Sequence, residues 1–284
     1  MQLKLFKTLW GHTGSLQQAA LQAREARFDG IEGPVPTEPA RLDEMASTLE
    51  AAGLEYIAEV CTCGSAVPDR LATPAEHLAD LEKKVAAAVP LQPRLVNIMG
   101  GCDAWPLETQ YAFFSEGMEI GARYGLDLSF ETHRSRSLFH PWVTESVLQR
   151  LPDIKLTADI SHWVAVCERL LDAAPDWETM LKVAENIHHV HSRVGYPQGP
   201  QVPHPAASEY SDCLAFHQKF WEAVWQSQQE RGYSVTSMTP EFGPDHYLHT
   251  LPFTNQPVAD LWQINTWMGE CERSHFQSYC TTRT

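Results

Sequence analysis

A single (β/α)8 barrel is the fold class this sequence predicts, on three observations. Apolar strand-forming runs alternate with amphipathic helical patterns eight times along the chain. Four of the later runs close on a carboxylate or an imidazole, where a barrel strand opens onto its active face. The length, 284 residues, suits eight such units in one domain spanning 1–284.

The first strand is expected over 3–9, and Ser15 suits the cap of a helix running to Phe28. Asp29-Gly30 ends that helix, and 30–33 forms a short second strand. A helix over 38–52 stops at Gly53, and the third strand covers 54–60. Thr73-Pro74 opens a helix that ends near Pro90. The fourth strand spans 94–99, and the helix over 107–124 stops at Gly125. The fifth strand spans 126–130, a helix 142–151, and the sixth strand 154–158. Helical pieces over 166–173 and 177–185 precede the seventh strand at 187–190. A loop carrying Pro197, Gly199, Pro200, Pro203 and Pro205 follows, the longest expected in the chain and a candidate lid. A helix over 215–229, a strand over 234–238 and a helix over 258–272 complete the pattern. Strict alternation of this kind implies a parallel sheet, and eight units favour closure. Gly11-His12-Thr13-Gly14 is too short and wrongly spaced for a dinucleotide loop, and neither a P-loop nor a G-x-S-x-G elbow occurs.

Hydrophobic residues make up 43% of the chain, enough for a large core. A net charge of −15 argues against nucleic-acid backbones and anionic membrane surfaces as partners. No apolar run approaches the ~20 residues of a membrane span, and the first ten residues alternate Lys4 and Lys7 with apolar ones. A cytoplasmic enzyme is the expectation. The seven Cys are scattered, and Cys61-x-Cys63 without a second pair is no zinc framework. On a strand those two share one face as buried reduced thiols. Nine Trp and an aromatic-rich C-terminal region leave room for a homo-oligomer interface.

The chemistry gathers at the strand ends. Glu131, Asp159, His191 and Glu241 each close a run of strand-forming residues, spaced by about one strand-plus-helix unit, except for the long loop before the last. Period-two alternation puts Glu131 and His133 inward if Phe130 points outward, and pairs His191 with Arg193 in the same way. Pro240 caps the last strand ahead of Glu241. Two Glu, one Asp and one His form an oxygen-rich set suited to a hard or borderline divalent cation. With no thiolate in the set, Mn2+, Co2+ or Mg2+ is expected, with Zn2+ as the alternative.

Four motifs, Glu131-Thr-His133, Asp159-Ile-Ser-His162, His191-Ser-Arg193 and Pro240-Glu241-Phe, make the chain resemble the xylose isomerase-like TIM barrel superfamily over essentially its whole length. That superfamily includes sugar isomerases, ketose 3-epimerases and inosose dehydratases. The resemblance implies one catalytic divalent metal held by Glu131, Asp159, His191 and Glu241. It also implies that His162 and Arg193 contact substrate oxygens and that Glu131 and Glu241 move a proton. The implied activity is isomerisation or epimerisation of a small sugar, keto-sugar or polyol through a metal-stabilised enediolate. Loss of a β-hydroxyl by a dehydratase begins with the same proton abstraction and is the alternative; a non-catalytic sugar- or metal-binding barrel is the second. Ser137 stands where ketohexose 3-epimerases carry a further Glu. Endonuclease IV-like members use three zinc ions and additional His ligands, whereas here the second, third and fourth strands carry Glu32, Glu59 and Asn97.

His133, Trp10 and Glu59 are the other candidates for substrate contact. Trp10 and Trp163 offer apolar faces to sugar C–H groups or to the core. Glu59 suits a hydroxyl or a salt bridge across the barrel mouth. His189 shares the parity of His191 and is expected inside, and His188 outside. His204 in the Pro-rich loop is a candidate ligand for a second metal. Asp245, His246 and His249 are expected at the rim. Arg134 and Arg136 are the only paired basic residues available to a phosphate, so the sequence leaves phosphorylation of the substrate open.

Overall fold

A computed structural model of the protein describes residues 1–282. Eight strands, β1 (Gln2–Thr8), β2 (Gly30–Pro34), β3 (Glu55–Cys61), β4 (Val96–Met99), β5 (Leu128–Glu131), β6 (Leu156–Ala158), β7 (Ile187–His191) and β8 (Val235–Thr239), pair in parallel in chain order. Pairing of β8 with β1 closes the barrel. Around it run α1 (Leu16–Glu25), α2 (Pro39–Ala52), α3 (Pro74–Ala88), α4 (Leu107–Tyr124), α5 (Pro141–Arg150), α6 (Ser161–Cys167), α7 (Asp176–Ala184), α8 (Ser211–Glu230) and α9 (Leu261–Thr282). Among the described residues, no helix is long and apolar enough to cross a membrane.

The helix ends follow from local chemistry. Ser15 and Gln18 form a reciprocal capping box at α1, and Thr73 and Glu76 form one at α3, with Pro74 in the first turn. Each cap stabilises by about 1 kcal/mol. Gly53 and Gly125 stop α2 and α4 in the left-handed region, at φ 63 and 65.

Four expectations need correction. The helix after β6 starts at Ser161, not 166, because the Asp159 carboxylate accepts from the Ser161 backbone and starts the turn at once; Glu168 at φ 54 ends it. The last helix spans Leu261–Thr282, its N-terminus anchored where Asp260 accepts from the Gln263 backbone. The segment 240–260 between β8 and α9 is a longer connection than the Pro-rich one after β7. Cys63 lies beyond β3 at φ 44, so it does not share a strand face with Cys61, and neither thiol is fully buried; all seven cysteines are free.

Alternation along β5 sets up the site. Phe130 points outward, where it meets Phe114 and Phe113 of α4 edge to face at ring separations of 5.0 and 6.3 Å. Glu131 therefore points into the barrel. Phe6, Ile57 and Leu95 form a separate buried cluster. The interior also carries polar pairs: Thr157 donates to Ser129 at 2.8 Å, and His189 bonds Ser237 at 2.8 Å. A polar interior is stable only if its groups find partners.

Candidate metal centre

Glu131 ends β5, Asp159 follows β6, His191 ends β7 and Glu241 lies two residues beyond β8. All four side chains are buried, and one ligand atom from each lies within 4.8 Å of the others. The Nδ1 of His191 is 3.1 Å from Oε2 of Glu241 and 3.7 Å from Oε1 of Glu131.

The donor set fits a divalent cation. Oε1 of Glu131 and Nδ1 of His191 are buried without a hydrogen-bond partner, a costly arrangement unless something cationic completes it. The other face of His191 is committed: Nε2 donates to Oε1 of Glu32 at 2.9 Å. A carboxylate only accepts, so Nε2 carries a proton, and it is Nδ1 that can release its proton and present a lone pair to a cation among the carboxylates. Two other clusters bring three donors together, Glu32–His189–His191 and Glu131–His133–His162. In the first, both Glu32 oxygens are already used by His191, His189 and Thr239. In the second, Nδ1 of His133 bonds the Arg134 carbonyl and Nε2 of His162 accepts from Arg193 at 2.8 Å. The four-residue group is the better site.

Supporting contacts hold these candidate ligands in place. Asn97 donates to Oε2 of Glu131 at 2.7 Å. Arg193 forms a short ion pair with Asp159, reaches the Glu241 carbonyl at 3.2 Å and its carboxylate at 3.5 Å. The backbone after Glu241 is clamped from both sides. Asn265 bonds both the N–H and the carbonyl of Phe242, each at 2.9 Å. Gln201 does the same for Gly243, at 2.8 and 3.2 Å. Residue 243 must be glycine, since a Cβ there would come within 2.1 Å of the Trp10 ring.

Electrostatics follow from burial and close charges. Burial raises Glu131 well above the usual carboxylate range, reinforced by Glu241 and Asp159. It raises Asp159 too, against the pull of Arg193. Burial opposes charge on His191, but Glu241, Glu32 and Glu131 outweigh it and hold its pKa well above the ordinary value. Burial would also raise Glu32, yet His191 and His189 hold it far below. His133 and His162 are pushed well down by burial and by Arg193, so both rings are neutral.

A cavity of about 530 Å3, in the size range of small-molecule sites, opens over this group. Glu131, Glu241, His133, Arg193, Trp10 and Glu59 line it. His162 is not in that lining; it lies against His133, ring centroids 3.9 Å apart and planes tilted by 51°. Trp10 donates to Asp245 at 2.9 Å and meets Tyr247 edge-on at 5.0 Å. Glu59 forms no ion pair among the described residues, and burial with Glu241 and Glu32 pushes its carboxyl up to about 8 against the weaker pull of His191. His204 belongs to no donor cluster among the described residues; its Nδ1 accepts from the Ala206 backbone at 3.1 Å. Trp163 is wholly buried, with its indole donating to the Leu138 carbonyl. His189 lies inside and His188 outside against Tyr233, as parity requires. A larger cavity of about 930 Å3, lined by Arg94, Asp127 and Lys155, sits at the opposite, N-terminal end of the strands, away from these ligands.

Sequence reasoning passed over Gln201 and Asn265, and noted Glu32 and Asn97 only as strand-end residues without a role. Glu32 and Asn97 had a usable signal, inward parity on strands adjoining the ligand-bearing ones. Gln201 and Asn265 had none, because an amide that clamps distant backbone has no local pattern.

No family model matches this chain, and no curated protein does. Solved structures do. An L-ribulose 3-epimerase structure matches over 100% of this chain and 97% of its own, with a TM-score of 0.68 and 14% identity. The IolI protein with a bound zinc atom matches over 98% of this chain and 99% of its own, with a TM-score of 0.65 and 12% identity. Endonuclease IV from Thermus thermophilus matches over 98% and 100%, with a TM-score of 0.59 and 11% identity. Likenesses at this identity establish the fold alone, a closed (β/α)8 barrel.

Proposed function

We propose that the protein is a divalent-metal-dependent isomerase or epimerase of a small sugar, keto-sugar or polyol. The observation that carries this reading is the pair Glu131 and Glu241 in one cavity, each within reach of the same cation-binding nitrogen. Glu131, Asp159, His191 and Glu241 would hold the cation, which supplies Lewis acidity to neighbouring carbonyl and hydroxyl oxygens of a substrate.

The residues divide the work. Glu131 ends β5 and Glu241 follows β8 by two residues, on either side of β6 and β7, so they can address a substrate from two sides. One carboxylate removes the proton next to the carbonyl, and the other returns a proton from its own side. His133 and Trp10 contact the substrate from the wall. Arg193 offers it only the N–H groups that Asp159 and Glu241 leave free, and His162 supports Arg193 and His133 from behind. Buried donors of this kind stabilise negative charge developing on oxygen.

Loss of a hydroxyl as water is the second reading, favoured by Glu59. Burial beside Glu241 and Glu32 pushes the Glu59 carboxyl up to about 8, which favours the protonated form that could donate to a leaving hydroxyl. A panel of keto-sugars with Mn2+-loaded protein in deuterated water tests both. Label at the carbon next to the carbonyl with isomerised product supports proton relay; dehydrated product supports the second reading. Glu131→Gln and Glu241→Gln should each lose about 10²–10⁴-fold in turnover while retaining some metal. Binding of sugar with neither turnover nor exchange would leave a binding barrel.

A further inference from the structure

One cation in the cavity wall has no ion-pair partner among the described residues. Arg134 lines the same cavity as Glu131 and Glu241, and its guanidinium lies 5.0 Å from the centre of the Tyr247 ring. The same ring carries the Arg193 guanidinium at 4.9 Å. Two like charges on one aromatic ring need anions close by. Arg193 has them in Asp159 and Glu241. Arg134 does not: among the described residues no carboxylate forms an ion pair with it, although Glu59 and Asp245 share the cavity wall. Stacking on Tyr247 holds the planar group at the wall, and its half-exposed N–H fork is left for something else.

We propose that Arg134 receives a carboxylate of the substrate, so that the sugar taken by this site is a sugar acid. The proposal rests on the reading of the cavity as a metal-dependent sugar site. A guanidinium and a carboxylate match as two parallel N–H···O bonds, and one cation balances one negative charge. A phosphate dianion fits poorly, since the described wall offers no second free cation and already carries Glu59, Asp245, Glu131 and Glu241. The metal-binding carboxylates and Arg134 then act on different parts of one ligand, the first on its carbonyl and hydroxyl oxygens and the second on its acid group.

Calorimetric titration of Mn2+-loaded protein with D-gluconate, D-glucitol and D-glucitol 6-phosphate tests this without needing turnover. Gluconate should bind at least about tenfold more tightly than glucitol, the worth of one charge-assisted pair. In Arg134→Gln that ratio should fall to about one, and Arg134→Lys, which keeps the charge without the fork, should fall between. Thermal unfolding and metal content of both variants report whether they are folded. Equal binding of gluconate and glucitol, or no binding of either, would overturn the proposal. So would a preference that survives in Arg134→Gln, since the carboxylate would then sit on the metal, or tighter binding of the phosphate ester. Solvent-deuterium exchange tests the reaction separately: gluconate preference without exchange would refute the isomerase reading and leave the acid site standing.

Discussion

Glu32 offers the sharpest test of how the candidate ligand nitrogen of His191 is prepared. It touches no substrate-facing surface and is not in the four-residue donor group, yet its Oε1 accepts from Nε2 of His191 at 2.9 Å. Glu32→Gln keeps the shape and one acceptor oxygen but removes the charge. A hydrogen bond to a charged group is worth about 1.5–3 kcal/mol and a neutral one about 0.5–1.5, so the change costs about 1–2 kcal/mol in the hold on His191. At 1.4 kcal/mol per tenfold, metal affinity should fall about 5–30-fold, overlapping the lower part of the roughly 10–100-fold range usual for partners of metal-bound histidines. The new amide has acceptors, since His189 and Thr239 both contact the other Glu32 oxygen, so the variant should fold. Calorimetric titration with Mn2+ gives the affinity, and thermal unfolding of the metal-free protein separates binding from stability. An affinity within twofold of wild type would refute the argument that Glu32 sets which nitrogen of His191 faces the cation.

The remaining expectations use the same geometry. The pKa values of His191 and Glu131 are raised, so protons occupy these groups until the pH exceeds the raised values, and they compete with the cation. Metal affinity should therefore rise with pH by about tenfold per unit for each proton displaced, with measurable proton release in titrations repeated in buffers of different ionisation enthalpy; pH-independent affinity would show that the site is already deprotonated. Asn265→Leu strands both polar groups of Phe242 in the interior, at a cost of at least about 2 kcal/mol, read as a fall in Tm of about 4 °C or more; an unchanged Tm would show that the clamp is idle. His162→Ala should keep its metal and lose turnover, and loss of both together would put His162 among the ligands.

Much of the barrel was legible because its signals are local. Gly53 and Gly125 stop helices by their own backbone freedom, Ser15 and Thr73 start them with partners three residues away, and each strand declares itself within a few positions. The convergence of Glu131, Asp159, His191 and Glu241 was legible for a related reason: a residue at a strand end has its direction fixed by parity, and closure of the barrel makes the strand ends converge. The sixth helix was misread because its start depends on a side chain, Asp159, capping the chain two residues on, which competes with the weaker apolar pattern further along.

Length, alternation and strand-end chemistry thus determined an eight-unit parallel barrel with four candidate donors at one mouth. The tertiary structure alone decided which nitrogen of His191 faces them, through Glu32 on a strand more than a hundred residues away in sequence. It alone decided that Arg193 is taken by Asp159 and Glu241 while Arg134 has no ion-pair partner among the described residues, and that Gln201 and Asn265 fix the backbone beyond Glu241. The reason is physical. Secondary structure is set by steric and hydrogen-bonding terms that act over a few residues, whereas ionisation, tautomer and ion pairing depend on which charges meet across a closed, low-dielectric interior.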